Sequence, residues 1–157
     1  MPRHDDTKAP RIISGGQTGV DRAALDVALE LGLPCGGTCP KGRRAEDGAI
    51  PDRYPLLESP DTEYLTRTER NVIDSDATLV LTDGPTHGGT ALTVELAKRH
   101  GRPCCIIHVD SPDAGDRART WLGAQDAETL NIAGPREGEA RGIYARARGL
   151  LHQIMST

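Results

Sequence analysis

Short apolar runs alternate with amphipathic ones along nearly the whole chain, and no other feature narrows the possible folds as much. Ile12-Ile13, Leu33 to Gly37, Ala77 to Leu81, Cys104 to Val109 and Thr129 to Ile132 read as short strands, with the Cys104 run buried. Tyr54 to Leu57 reads as a weaker extended piece that Pro55 moves towards a sheet edge. Between the strands, Val20, Ala24, Val27, Ala28 and Leu31 recur at i, i+4, i+7, i+8 and i+11, which is one face of a helix that Gly32 ends. Tyr64 to Asp74, Thr90 to His100, Asp113 to Ala124 and a last segment carrying Ile143, Ala147, Leu150, Leu151 and Ile154 repeat the helical pattern. Strands separated by single helices give a parallel sheet covered on both faces, and such sheets bind ligands outside the carboxyl ends of their strands.

Three of the strand-to-helix turns have unusual composition. The first is Ser14-Gly15-Gly16-Gln17-Thr18-Gly19-Val20-Asp21, followed by Arg22. Its glycines can take positive φ and let a ligand reach the main chain, so that N–H groups converge at a helix N-terminus beside the neutral donors Ser14, Gln17 and Thr18. The second is Thr82-Asp83-Gly84-Pro85-Thr86-His87-Gly88-Gly89-Thr90, and the third is Ala133-Gly134-Pro135-Arg136-Glu137, in which Arg136 is expected to open the last helix. All three follow strands and so belong to one edge of the sheet, which favours a binding site over three packing turns. Neither Gly-x-x-x-x-Gly-Lys-Ser/Thr nor Gly-x-Gly-x-x-Gly is matched, so an ordinary triphosphate or dinucleotide fingerprint is not supported.

With 157 residues the chain has the length of one domain, expected over 11–157, after a polar tail from Met1 to Pro10 that reads as neither signal peptide nor anchor. A net charge of −4 argues against a general nucleic-acid or membrane-surface binder, so any anion site must be local. The chain has no Phe, one Trp and three Tyr, which leaves few platforms for stacking bases. No run approaches the roughly 20 apolar residues of a membrane span, and the cytoplasm is the expected compartment. Lys41, Arg43 and Arg44 form the cationic cluster of a long polar loop, and charge alone reads them as a solvated face. Cys35, Cys39, Cys104 and Cys105 match neither a disulfide framework nor the paired spacing of a zinc site, so reduced thiols and no structural metal are expected. Cys104 and Cys105 should point to opposite faces of their strand.

Four segments taken together resemble the putative molybdenum carrier family, over Arg11 to Met155: Ser14-Gly-Gly-Gln-Thr-Gly-Val-Asp21-Arg22-Ala-Ala-Leu-Asp26, Cys39-Pro-Lys-Gly-Arg-Arg-Ala-Glu-Asp-Gly48, Thr66-Arg-Thr-Glu-Arg-Asn71-Val-Ile-Asp74-Ser-Asp76 and Ala133-Gly-Pro-Arg-Glu137. The Cys39 to Gly48 run is the most specific of the four. The resemblance implies an α/β, Rossmann-like three-layer sandwich, a mostly parallel sheet with helices on both faces, in a superfamily that includes cytokinin-activating phosphoribohydrolases and the DNA-processing protein. It implies the molybdenum cofactor, a phosphorylated pterin, as ligand, and it turns Lys41 and Arg43 towards that ligand. Gly88-Gly89-Thr90 is similar to the Pro-Gly-Gly-x-Gly-Thr-x-x-Glu turn of the phosphoribohydrolases, with Arg70 as the counterpart of their arginine. Thr93 stands where their glutamate does, and Glu95 falls two positions too far along the helix. Thr38 stands where a Trp is common in the carrier family.

The expected function is non-catalytic binding or carriage of a small phosphorylated or oxyanion ligand. The main-chain N–H groups of the Ser14 to Asp21 turn, with Ser14, Gly15, Gly16, Gln17 and Thr18 at its start, and of Gly88, Gly89 and Thr90 would hold a phosphate or oxyanion, with Lys41, Arg43 and Arg136 supplying charge. Asp21, Asp83 and Asn131 would select a heterocycle through its N–H edge, and Arg22, Gly42, Gly84 and Gly134 complete the candidate set. No nucleic-acid or membrane partner is expected, and copies of the chain are expected to associate as a dimer or tetramer. One alternative is cleavage of the N-glycosidic bond of a nucleoside monophosphate, with Glu95, Asp83 or Asp74 as the carboxylate. The other is a nucleotide-sensing module using the same pocket.

Overall fold

The computed structural model describes residues 9–156, so the expected tail from Met1 to Pro10 lies outside the described residues apart from the irregular Ala9 and Pro10. β1 (Arg11–Ile13) leads through the first glycine turn into α1 (Val20–Leu31), which Gly32 ends in the left-handed conformation. β2 (Cys35–Gly36) returns beside β1. Short pieces follow: β3 (Thr38–Cys39), the hairpin of β4 (Arg44–Ala45) with β5 (Gly48–Ala49), and β6 (Leu57–Glu58), which pairs with β3. The chain continues through α2 (Tyr64–Ile73), β7 (Ala77–Thr82), α3 (Gly88–Arg99), β8 (Cys104–His108), α4 (Ala114–Gln125), β9 (Thr129–Ala133) and α5 (Ile143–Met155). Among the described residues no helix is long and apolar enough to cross a membrane.

β2, β1, β9, β7 and β8 lie side by side in that order, and every neighbouring pair is parallel. On one face Leu79 and Leu81 of β7 and Leu130 and Ile132 of β9 pack with Val20 and Val27 of α1, Ala118 of α4 and Ile143 and Leu151 of α5. On the other, Val72 of α2 packs with Leu96 and Ala97 of α3. This is the Rossmann-like α/β arrangement, and β7 shows why the sequence makes it: all six residues are buried because the strand has neighbours on both sides and helices on both faces.

The strand order has a hidden regularity. Counting β1, β2, β7, β8 and β9 as one to five, the sheet reads 2-1-5-3-4; counting from β9 instead, it reads 3-2-1-4-5. The second is the order of a doubly wound sheet, entered at a different point of the cycle. Its direction of winding reverses between β9 and β7, where the loops leaving the two strands diverge and a crevice opens.

Three expectations change. β8 is the edge of the sheet and not a buried strand, so Ile106 is 42 % exposed, although Cys104 and Cys105 do pack against opposite clusters. The extended piece is Leu57–Glu58, while Tyr54 is buried with its hydroxyl donating to Asp26 at 2.7 Å. Arg136 opens no helix: α5 starts at Ile143 behind Gly142, so no helix dipole opposes the Arg136 charge.

Candidate functional site

The turns after β1, β7 and β9 meet over the switch point and enclose a cleft of about 220 Å³. Gln17 and Asp21 line it from the first turn, Gly88, Gly89 and Thr90 from the start of α3, and Gly134, Arg136 and Glu139 from the loop after β9. Tyr64 and Arg67 of α2 close the remaining side.

The first turn holds an anion, and that anion is the protein's own. Gln17 N–H donates to Asp21 Oδ2 at 3.2 Å, and Gly16 N–H donates to Ser14 Oγ at 3.3 Å. At the start of α1, Val20 N–H donates to Pro135 O at 3.2 Å and Arg22 N–H to Gln17 O at 3.1 Å. Of the donors expected to cradle a phosphate, the N–H groups of Ser14, Gly16 and Gln17 are therefore engaged inside the fold. The glycines of the turn serve close packing: a Cβ on Gly15 would collide with the Arg67 guanidinium, on Gly16 with Leu56, and on Gly19 with Pro135 O. Gly134 is likewise pressed against Leu81 O and Val20.

Asp21 and Arg67 dominate the electrostatics. Burial pushes the Asp21 carboxyl up to about 6, against the opposing pull of Arg67, the Gln17 N–H and Arg22. Arg67 Nη1 stands 3.7 Å from Asp21 Oδ2, its Nε is buried without a hydrogen-bond partner, and its guanidinium lies 5.3 Å from the centre of the Tyr64 ring. Gln17 Oε1, in a side chain that lines the same cleft, is also buried and unpartnered. Buried polar atoms without partners are uncommon in folded proteins, and among the described residues Arg102 Nε and Arg148 Nε, away from the cleft, share this state.

The wall formed by α3 is open where the first turn is closed. Among the described residues no side chain caps the helix, nothing lies within 4 Å of a Cβ built on Gly89, and around Gly88 the only near atom is Glu139 Oε2, at 3.6 Å. Its first N–H groups are thus available at the positive end of the helix dipole. Across from them Arg136 is paired with Glu139, which accepts from Arg136 N–H at 3.1 Å and from Nη2 at 3.3 Å. Burial raises the Glu139 carboxyl, but the bonds from Arg136 more than offset it and leave Glu139 below its ordinary range.

Other candidates lie elsewhere. Arg43 is turned inward, donating to the carbonyls of Ile50, Pro51, Tyr54 and Leu56, and Lys41 and Gly42 are exposed on the loop, whose main chain bonds Asp61 O and Glu58. Arg22 grips Asp47 with two bonds of 2.9 Å and donates to Gly16 O at 2.8 Å. Thr18 bonds Glu46, Asp83 pairs with Arg146 at 3.6 Å, Gly84 N–H bonds Thr82, and Asn131 Nδ2 donates to Thr78 within the sheet. Each is engaged with the protein, because the loops fold back on the sheet edge and use these polar groups as their own anchors. Arg70 is exposed and paired with Asp74, so the arginine that α2 brings to the cleft is Arg67, one turn earlier. Arg67, Tyr64 and Glu139 escaped the sequence reading. For Arg67 the spacing from Asn71 was a usable signal, since i, i+4 places the two on the same side of α2.

Similarity to known proteins agrees with this topology. The sequence model of the family described as "Circularly permutated YpsA SLOG family" matches residues 12–155. The crystal structure of the putative molybdenum carrier protein from Syntrophus aciditrophicus SB is 45% identical, with a TM-score of 0.91 over 93% of this chain and 94% of that one. No curated protein matches. With a family match over nearly its whole length and a strand order that becomes doubly wound when counted from β9, the chain belongs to the circularly permutated YpsA SLOG family.

Proposed function

We propose that the cleft binds a small phosphorylated heterocycle without acting on it, with the molybdenum cofactor, a phosphorylated pterin, as the candidate ligand. Arg67 carries this reading: it is the guanidinium that α2 brings to the cleft, its side chain 14% exposed and its nearest carboxylate, Asp21, at 3.7 Å. Arg22 and Arg43, by contrast, have their donors engaged by carboxylate and carbonyl oxygens. The uncapped start of α3 supplies donors that a phosphate needs, in place of the first glycine turn, and Arg136 lies beside it with its charge partly offset by Glu139. Tyr64 and Leu92 offer apolar surface to a flat ring.

The residues fit such a group. The cleft is small beside typical ligand pockets of roughly 300–1,000 Å³, but a hollow of about 270 Å³ lined by Pro40, Arg44 and Glu46 shares Tyr64 with it and extends the room for a longer ligand. Among the described residues no group of three or more His, Cys, Asp or Glu side chains stands together to hold a metal ion. The name of the Syntrophus aciditrophicus protein, a putative molybdenum carrier, supports a carrier role. Thr93, at the position of the phosphoribohydrolase glutamate, donates its hydroxyl to Gly89 O at 3.0 Å, which supports binding without hydrolysis. Asp21 favours a second reading, cleavage of an N-glycosidic bond, because it is a carboxylate in the cleft with its pKa raised to about 6. Release of free base from nucleoside monophosphates separates the two.

Thermal unfolding and calorimetric titration with nucleotides, phosphorylated pterins, phosphate and molybdate test the proposal. A ligand at a hundred times its Kd adds about 2.7 kcal/mol of apparent stability. Arg67→Ala should weaken binding by about 10- to 100-fold, the range for a charge-assisted hydrogen bond. No shift with any of these ligands would remove the cleft as a binding site.

A further inference from the structure

β8 is composed like an interior strand and placed at an edge. Its run Cys104-Cys105-Ile106-Ile107-His108 holds no Pro, Lys, Glu or Gly, and it pairs with β7 residue for residue, without a bulge. Charges, prolines and bulges are the features that blunt the edges of natural sheets. The opposite edge, β2, is only two residues long. Thr78 N–H donates to Pro103 O and Val109 N–H to Thr82 O, and in a parallel ladder alternate residues face the neighbouring strand. Cys105 and Ile107 therefore turn their N–H and C=O groups to β7. Cys104, Ile106 and His108 turn theirs outward, where among the described residues no strand meets them. The Ile106 side chain stands exposed on the face where Cys104 packs. Charge is polarised along the same edge: residues 98–103 carry Lys98, Arg99 and Arg102 and no acid, and residues 110–116 carry Asp110, Asp113 and Asp116 and no base. Within the chain Arg99 meets Glu95, Asp110 meets Arg146 and Asp116 meets Arg119, all on the surface.

We propose that β8 is the contact strand of a homodimer, pairing antiparallel with β8 of a second copy across a two-fold axis at Ile106. A two-fold axis normal to the sheet generates an antiparallel pair, and the contact is then the same patch on both copies. In this register Ile106 exchanges both of its main-chain bonds with Ile106 of the second copy, and Cys104 exchanges both with His108. All the outward groups of the strand are used, and the two Ile106 side chains cover each other. Arg102 stands opposite Asp110, because both lie four residues from Ile106, and the basic end of each edge meets the acidic end of the other. That symmetry of charge about Ile106 favours a second copy of this chain over an unrelated extended peptide. It also gives an interior place to a strand whose composition is that of an interior strand. The two clefts, at the carboxyl ends of antiparallel strands, open on opposite sides of the joined sheet, so the inference is independent of what the cleft binds.

Sedimentation equilibrium of the full chain and cysteine cross-linking test the assignment. The wild type should show a monomer–dimer equilibrium. Ile106→Lys sets two like charges face to face at an exposed position, so it should sediment as a monomer and still unfold cooperatively. Ile106→Cys brings two thiols together across the axis. Opposed residues of a hydrogen-bonded antiparallel pair have Cα atoms about 5.5 Å apart, within the roughly 4.4–6.8 Å that a disulfide spans. Mild oxidation should therefore cross-link this variant into dimers. The wild type, whose Cys104 and Cys105 lie opposite His108 and Ile107 of the second copy, should not cross-link, and Leu29→Cys, at an exposed position on α1, should do so more slowly. A wild type that stays monomeric at every concentration overturns the proposal. So does a dimer that survives Ile106→Lys, which moves the contact elsewhere, or cross-linking no faster through Ile106→Cys than through Leu29→Cys.

Discussion

Asp21, Arg43 and Lys41 show how differently charged residues of one site region behave. Burial holds the Asp21 carboxyl near 6 in the folded chain against an ordinary 3.8. Between those values the folded state keeps a proton that the unfolded chain has released, so this contribution to stability is full below the unfolded value and lost as the pH rises through about 6. Asp21→Asn should therefore match the wild type near pH 4 and be more stable at pH 7 to 8, by roughly 1–3 kcal/mol. Paired thermal melts across pH check this, and a constant difference would show that the Asp21 charge is not penalised. Arg43 sits at φ +54° and bridges four carbonyls, at 2.7 Å to Pro51 O, 3.0 Å to Tyr54 O, 3.1 Å to Ile50 O and 3.4 Å to Leu56 O. Arg43→Ala should cost roughly 2–4 kcal/mol of stability by leaving those oxygens without a donor. Lys41→Ala, at an exposed site, should stay within about 0.5 kcal/mol; denaturant unfolding distinguishes the two.

At the scale of elements, the Cys39 to Gly48 run acts as a brace on the glycine turns. Arg44 O accepts from Gln17, Asp47 holds Arg22, and Glu46 accepts from both Thr18 and the Gly138 N–H, so one hairpin ties the turn after β1 to the loop after β9. This explains why so specific a sequence contributes Arg44 but not Arg43 to the surroundings of the cleft. The same turns divide the glycines into two classes. Gly19, at φ +82°, lies where the two loops touch, with Glu137 N 2.8 Å from the position of a Cβ, whereas Gly89 has open space in the first turn of α3. Gly19→Ala should lose more than about 2 kcal/mol through backbone strain and collision. Gly89→Ala should be neutral or stabilising by up to about 1 kcal/mol, yet alter ligand binding because its new methyl faces the cleft. Unfolding curves with and without phosphorylated ligand separate these outcomes.

For the whole molecule the decisive property is the circular order of its strands. β9 lies beside β1 and parallel to it, and α5 packs on the face that also carries α1, so joining the end of α5 to β1 would complete an ordinary strand–helix–strand crossover. A chain opened between Gln125 and Thr129, with its old ends linked flexibly, should fold cooperatively and keep the ligand-dependent thermal shift. Loss of the fold would show that the present order of synthesis is required for the architecture. Much of this was legible in the sequence: the alternation of β-branched strands and helical faces sets the parallel α/β sheet, because burial on two faces imposes those periods locally. Positive-φ glycines likewise mark Gly16, Gly19 and Gly32 as turn or cap positions. Only the tertiary structure decided where β9 inserts, since strand neighbours are chosen by packing between segments far apart in the chain. It also decided which polar groups remain free. Arg43 and Arg67 are the same residue type on polar stretches, and the difference between them is whether carbonyl oxygens from the folded chain reach the guanidinium.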